Sequence, residues 1–439
     1  MQKFNDTDFG NARDYILGIP KFSGKNDVEV SKDFYKYLNS PGAGLKIIHV
    51  AGTNGKGSVC SYLNSILMES GFSVGLFTSP HLVSICERIR LDNKIITEEA
   101  FTLYTKKLTE KIEKYRKEKR TMYHPSFFEF LFYMSMMYYE DVRPDYVILE
   151  TGLGGRLDAT NMVDNKVLTI ITKLGFDHME YLGNTIKDIA YEKAGIMRCN
   201  VPVVSLQEPY EAYAVITKCA GNLQAPLISV EKEDISFSKN AYKGIDFSIY
   251  SRYYGNVSAT LGTIAVYQTD NAALAVRGIE ALKISDRVTL EVLQRGLSKA
   301  VWEGRMEEIQ KDVFLDGAHN EDGINAFLDT VRNDGFMGKR TLMFAVVRDK
   351  QYEHMVKLLA QSGLFDKICV SKAGGQRELK IDEIRGMFEQ YTDCPVVYFE
   401  SVKEAFTNTV EHRGNGNRVY IAGSLYLVGE IKELMCRME

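Results

Sequence analysis

Along this chain, short β-branched hydrophobic runs alternate with stretches whose apolar residues fall at helical spacing, a pattern that predicts a parallel α/β sheet. Runs at 47–50, 73–77, 144–150 and 167–172 read as buried strands. Between the first two, Val59, Tyr62, Leu63, Ile66 and Leu67 mark a helix ending at Gly71, where a C-terminus favours positive φ. Val30, Phe34, Tyr37 and Leu38 mark a helix before the sheet. Residues 97–120 read as a charged, solvated helix without chemistry, and 127–139 as an aromatic core helix. Polar and aromatic residues alternate over 232–263, predicting a small antiparallel insertion, and 268–284 reads as helix. From residue 313 the pattern restarts, with strands expected at 313–315, 341–346, 367–370, 396–399 and 419–422. The restart predicts a second doubly wound domain of about 140 residues, with a boundary in 296–304, dividing the chain into 1–297 and 298–439.

Length fits this division, since 439 residues exceed one ordinary core. A hydrophobic share of 45% beside 26% charged residues is that of a globular protein. A net charge of −4 argues against non-specific nucleic-acid binding. Seven scattered cysteines without a CxxC pair read as reduced thiols of a cytoplasmic protein. Neither a signal peptide nor a membrane span is expected.

The chemistry concentrates where strands end. The first strand runs into Gly52-Thr53-Asn54-Gly55-Lys56-Gly57-Ser58 and then a helix. Backbone N–H groups, a helix N-terminus and one lysine there converge on a point suited to a nucleotide phosphate. The usual phosphate-loop pattern places Ser or Thr directly after the lysine to ligate Mg²⁺, whereas this chain has Gly57. The second strand runs into Thr78-Ser79-Pro80-His81. The third ends in Glu150, a carboxylate placed like the second metal motif of NTPases. Asp177-His178 follows the fourth, and Asp316-Gly317-Ala318-His319-Asn320 follows the first strand of the second unit. Two such crevices facing each other would form an interdomain active site. No G-x-G-x-x-G occurs in the second half, so a dinucleotide site is not supported.

Taken in order, HVAGTNGKGS, TSPHL, ERI, ETGLGGRLDATN, DHMEYLGNTIKDIAYEKAGI, DGAHN and GSLYLVGE resemble the folylpolyglutamate synthase and dihydrofolate synthase family of ATP-dependent amide ligases, relatives of the Mur ligases. The resemblance spans residues 49–430 and implies an N-terminal P-loop-type ATPase domain with the folate site and a smaller C-terminal Rossmann-like domain. It implies that ATP phosphorylates a folate or dihydropteroate carboxylate and that L-glutamate displaces the phosphate, in a monomeric protein. One or both of those activities fit the motifs, RLDATN resembling bacterial enzymes carrying both, while the DATN and EKAGI wording argues against the alternative of a Mur-type amino-acid ligase.

Residue by residue, the resemblance assigns Asn54, Gly55, Lys56, Gly57 and Ser58 to the phosphates. Ser79, Glu150 and His178 become ligands of two Mg²⁺ ions, so Ser79 supplies the hydroxyl that Gly57 lacks. Lys193 in EKAGI becomes a CO₂-derived carbamate. Asn271, Arg305 and Asp316 contact the nucleotide. His319 supports the phosphate or the incoming glutamate, and Ser424 lines the glutamate pocket. Ser126, Phe127, Phe128, Glu129, Leu157, Asp158 and Ala159 hold the pterin. Without the resemblance, His178 is a loop histidine and Lys193 and Arg305 are surface charges. The chain departs from the family at Ser126, where Thr is common, and at Glu303, where Pro is usual.

Overall fold

The computed structural model describes residues 8–20, 28–240, 244–348, 352–372 and 381–437. Eight strands form the first sheet: β1 (Lys46–Ala51), β2 (Val74–Phe77), β3 (Ile89–Leu91), β4 (Lys94–Ile95), β5 (Tyr146–Glu150), β6 (Lys166–Ile171), β7 (Val203–Leu206) and β8 (Leu227–Val230). Their spatial order is β4-β3-β2-β5-β1-β6-β7-β8, parallel except for the β3–β4 edge. β1 lies at the centre, with Val50 beside Glu150 on β5 and Ala51 beside Ile171 on β6. Its apolar residues are buried because helices cover both faces, which accounts for the unbroken β-branched runs. The carboxyl ends of β1, β2, β5 and β6 open on one edge, where open α/β sheets carry their ligands.

A three-stranded antiparallel sheet of β9 (Ile235–Asn240), β10 (Gly244–Ser251) and β11 (Gly255–Leu261) follows, as the alternation predicts. The third sheet contains β12 (Glu307–Gln310), β13 (Val313–Leu315), β14 (Arg340–Phe344), β15 (Lys367–Ser371), β16 (Val396–Phe399) and β17 (Arg418–Ala422). Its order is β12-β13-β17-β14-β15-β16, with only β12 antiparallel.

Three expectations shift. The charged helix Glu98–Lys119 is solvated on one side only. Phe101, Tyr104, Leu108, Ile112 and Tyr115 recur every three or four residues and bury against the aromatic helix Phe127–Val142. The boundary at 297/298 falls inside the helix Leu290–Lys299, whose Leu293 and Leu297 belong to the first sheet's core; Gly296 lets it approach the backbone of Ile66. Segments 89–95 and 203–230, unread in the sequence, extend the first sheet at both edges with strands of two to four residues, too short for periodicity to register. No helix among the described residues is long and apolar enough to cross a membrane.

Candidate functional site

The cavity at the carboxyl edge of the first sheet is built on the turn after β1. Gly55 takes φ +88° as the N-cap of the helix Lys56–Glu69, and a Cβ there would sit 2.2 Å from Asn271 Oδ1, so only glycine fits. The turn is tied to the end of β6: Thr53 and Asn54 N–H donate to Lys173 O, and the Thr172 hydroxyl donates to Asn54 O at 2.7 Å. Lys56 Nζ is folded over the loop, donating to Gly52 O and Thr53 O at 3.1 and 3.2 Å. Asn271 donates to Gln268, and Gln268 donates to the buried Ser58 hydroxyl, fixing the loop from the helix Gln268–Leu282.

Gly57 has a steric reason. A Cβ would lie 2.6 Å from the Trp302 ring, so the position of the usual Mg²⁺-binding hydroxyl is the bed of an indole. Ser79, at the end of β2, stands beside Glu150 instead, its N–H donating to Glu150 Oε2 at 3.0 Å. Burial raises the Glu150 pKa, opposed by the charges of Lys56, Arg305 and Arg88.

Lys193 is 4% exposed, and its Nζ donates to Gly52 O at 2.8 Å. Burial, reinforced by the nearby Lys56 charge, brings its pKa down to about 7. It is therefore no solvated surface charge. His178 begins the helix Met179–Leu182 at φ +52°, with Asp177 Oδ1 3.8 Å from its Nε2.

The third sheet supplies the facing wall. Asp316 is buried and accepts from Tyr267 Oη (2.6 Å), Met306 N (2.9 Å) and Ala318 N (2.7 Å). Burial raises its pKa, opposed by Arg305. His319 Nδ1 lies 2.7 Å from Gly317 O, a contact that directs the other ring nitrogen away from the carbonyl. Arg305 donates to Gly304 O at 3.0 Å, and its charge opposes the upward shifts of both Glu150 and Asp316. Asn320 and Asn54 meet across the two sheets through reciprocal amide bonds of 3.3 and 3.1 Å.

A single cavity of about 200 Å³ is thus lined by Asn54, Gly55, Lys56, Gly57, Ser58, Ser79, Glu150, His178, Lys193, Asn271, Arg305, Asp316 and His319. It also takes in Asp177, read in the sequence as the neighbour of His178 without a role of its own, and Lys173, Tyr267, Asp270 and Asp322, to which the sequence assigned no part in the site. Asp177 adjoins His178 in the chain, and that adjacency was the available signal for it. Among the described residues no three His, Cys, Asp or Glu side chains form a ready metal cage. A buried carboxylate held through one oxygen, beside a serine hydroxyl and a phosphate loop, fits Mg²⁺, which keeps phosphate and water ligands.

The remaining expected residues lie outside that cavity. Ser126 and Glu129 form the capping box of the helix Phe127–Val142. Phe127 is buried in the core, and the Phe128 ring packs on Gly152, leaving no room there for a Cβ. The Asp158 carboxylate accepts from the N–H groups of Gly152, Leu153 and Thr160, so it staples the loop after Glu150. Ala159 begins the short helix that Asp158 caps, while Leu157 is 44% exposed. Ser424 is buried and caps the helix Leu425–Cys436 by accepting from Tyr426 N.

Two family models cover most of the chain: the Mur ligase middle domain matches residues 50–277 and the Mur ligase glutamate ligase domain residues 304–425. The Bacillus subtilis dihydrofolate synthase/folylpolyglutamate synthase is 33% identical over 97% of this chain and 99% of its own length. The dihydrofolate synthetase of Saccharomyces cerevisiae is 28% identical over 90% and 94%. E. coli FolC, solved in complex with DHPP and ADP, superposes with a TM-score of 0.85 at 25% identity, covering all of both chains.

Proposed function

We propose a site-by-site mechanism from the premise that the chain belongs to the folylpolyglutamate synthase/dihydrofolate synthase family of Mur ligases. Members of this family are ATP-dependent ligases that join L-glutamate to a folate carboxylate, and this chain is such a ligase. We assign it both activities, tetrahydrofolate glutamylation and dihydrofolate synthesis from dihydropteroate. The support is the near full-length match to a relative that carries both names. The observation that carries the mechanism is the single cavity in which the phosphate loop, Glu150, Lys193 and Arg305 meet.

The reaction has two steps. The folate carboxylate attacks the γ-phosphorus of ATP, forming an acyl phosphate and releasing ADP. The glutamate amine, having lost a proton, then attacks the acyl carbon; the C–N bond forms, the C–O bond to phosphate breaks, and phosphate departs with a proton. Neither step needs a covalent nucleophile on the protein, and both need positioning and charge neutralisation. The loop Asn54–Ser58 cradles the phosphates and Lys56 swings from its carbonyl partners onto them. Asn271 and Asp316 hold the nucleoside side, and Asp316 reaches it through the Tyr267 and residue 306 segment that its carboxylate fixes. Arg305, which donates to Gly304 O and has no ion-pair partner among the described residues, closes on the transferring phosphoryl group. His319 orients the leaving phosphate.

Ser79, Glu150 and His178 are the residues that would hold Mg²⁺, which neutralises phosphate charge when bound. Lys193 is suited to carbamylation because its amine is buried and easily deprotonated. Its reaction with CO₂ replaces a cation with an anion beside Asp177 and the loop. Residues 126–129 and 157–159 frame the pterin by shaping the Phe128–Gly152 wall, with Ser424 setting the helix end near the amino-acid side. The protein operates as a monomer in the cytoplasm, its nucleotide domain running to the end of the helix Leu290–Lys299 and its closing domain beginning after it.

Phosphate release from Mg-ATP with L-glutamate tests this reading, using dihydropteroate, tetrahydrofolate and a UDP-muramoyl acceptor in turn. Both pterin acceptors are expected to support release. Release with the muramoyl acceptor alone would overturn the reading.

A further inference from the structure

His49 is a histidine where the fold asks for a hydrophobic residue. It lies within β1, between Leu149 on β5 and Thr169 on β6, and it has no exposed surface. Its neighbours along the strand, Ile48 and Val50, are core aliphatics, and another such residue would continue the run without burying a polar ring. Burial holds the imidazole pKa well below its ordinary value, helped by the charges of Lys166 and Arg198, so the ring is neutral.

The hydrogen bonds fix which ring nitrogen carries the proton. His49 Nε2 lies 2.8 Å from the Thr160 hydroxyl oxygen. That hydroxyl has a single proton, which it donates to Asp158 Oδ1. Nε2 therefore carries the hydrogen and donates it. Nδ1 is left as a bare acceptor, buried without a partner among the described residues. The result is a directed chain from His49 Nε2–H through the Thr160 hydroxyl to the Asp158 carboxylate. All three side chains are buried, where each donor strengthens the next. Burial raises the Asp158 pKa, and the Thr160 hydroxyl is the foremost group opposing that rise. The other Asp158 oxygen accepts from the N–H groups of Gly152 and Leu153. The chain thus ends in the segment directly after Glu150, on the wall that Phe128 builds against Gly152.

We propose that His49 is a positioning residue for the acceptor: through Thr160 it holds the Asp158 carboxylate in the orientation that sets loop 152–159 against the pterin. The proposal rests on the ligase reading above and on its assignment of residues 157–159 to the pterin. It accounts for a buried ring nitrogen left without a donor, a feature that stability alone would remove.

His49→Phe keeps a buried ring and removes both nitrogens. The expected result is a KM for dihydropteroate raised at least about fivefold, with the KM values for ATP and L-glutamate within about twofold. The melting temperature should equal or exceed the parent's, because the unsatisfied nitrogen is gone. The amide nitrogen of Gln stands where Nε2 stands, and that of Asn where Nδ1 stands. His49→Gln should therefore recover most of the acceptor affinity and His49→Asn little of it. Thr160→Val, which removes the middle link, should raise the same KM and stands in for His49→Phe if that variant does not fold. Nitrogen NMR of the parent with isotope-labelled histidine should show His49 with Nε2 protonated and Nδ1 bare, and the Nε2 signal should move when dihydropteroate is added with AMPPCP. A protonated Nδ1 overturns the proposal. So does a variant that melts lower with an unchanged acceptor KM, the mark of a purely structural histidine. A KM for ATP that rises in step with the acceptor's overturns it too, since the effect then runs along β1 into the phosphate loop. If the parent releases no glutamate-dependent phosphate with either pterin acceptor, the ligase reading itself fails, and the proposal falls with it whatever the tautomer.

Discussion

Asn54 on the phosphate loop and Asn320 at the start of the helix Glu321–Arg332 exchange side-chain amide bonds, a direct tie between the loop and the domain of the third sheet. Asn320 has a second task, accepting from Gly323 N–H at 2.8 Å as the helix N-cap. The two tasks separate by substitution. Asn320→Ser keeps a capping oxygen but cannot reach Asn54, so its melting temperature should stay near the parent's while the KM for ATP rises several-fold. Asn320→Ala loses both and should cost about 1 kcal/mol more in thermal or urea unfolding. Equal kinetics for the parent and Asn320→Ser would show that the tie has no part in nucleotide binding.

Glu150 is a carboxylate that the fold disfavours in its ionised form, since burial raises its pKa. A group the fold keeps at a cost is more easily explained by chemistry than by stability. Glu150→Gln retains the shape and an acceptor for the Ser79 N–H. Phosphate release should fall by about 10³-fold or more, with a melting temperature equal to or above the parent's. Near-normal turnover would remove Glu150 from the metal site.

Lys193 carries a pH signature. Its pKa is about 7 in the folded protein against 10.5 for an ordinary lysine, so between those values the unfolded chain binds the extra proton. Stability of the protein in CO₂-free buffer should therefore rise as pH increases from 7 toward 10.5. Lys193→Met should flatten that slope in melting curves. Carbamate formation consumes the neutral amine, so bicarbonate-dependent activation should fade as pH drops through about 7. Turnover in Lys193→Ala should be restored in part by short-chain carboxylates, and failure of both tests would remove the carbamate.

Most of the nucleotide cavity was legible because strand ends and a glycine turn announce themselves in linear sequence. Residues 46–58, 79, 150 and 178 each follow a β-branched run, and the sheet then gathers them with no further information. Asp316 was legible as another polar strand end, whereas Arg305 was legible only through the family motifs, since no strand end or turn marks it. The pterin residues show the opposite difficulty. Asp158 and Glu129 sit in family motifs, yet their carboxylates are engaged by backbone N–H groups, and that use depends on loop geometry alone. Trp302 went unread because an aromatic ring at a junction has no periodicity, and its partner Gly57 read as a phosphate-loop residue lacking a hydroxyl, with nothing to say that a ring lies on it.

Asp158 yields a prediction of its own from that engagement. Three N–H donors point at its carboxylate inside a buried loop, and removing the acceptor leaves them unsatisfied. Asp158→Ala should destabilise the protein by roughly 2–4 kcal/mol in urea unfolding. A loss of acceptor affinity without loss of stability would instead place the carboxylate on the pterin.

The contact between Gly57 and Trp302 makes the sharpest case, because it explains a departure from the usual phosphate loop and sets an indole against that loop as a wall. Adding a side chain at position 57 puts a Cβ 2.6 Å from the ring, well inside contact distance, so the indole has to move. Gly57→Ser restores the hydroxyl expected of an ordinary phosphate loop, yet it should lower turnover by about 10–100-fold by displacing that wall. Trp302 emission should shift to the red as the ring gains water. Pairing Gly57→Ser with Trp302→Ala removes the clash, so the double variant should lose less than the sum of the two single losses. Strict additivity of the two would mean that the indole and the glycine act independently, and the glycine would need another explanation.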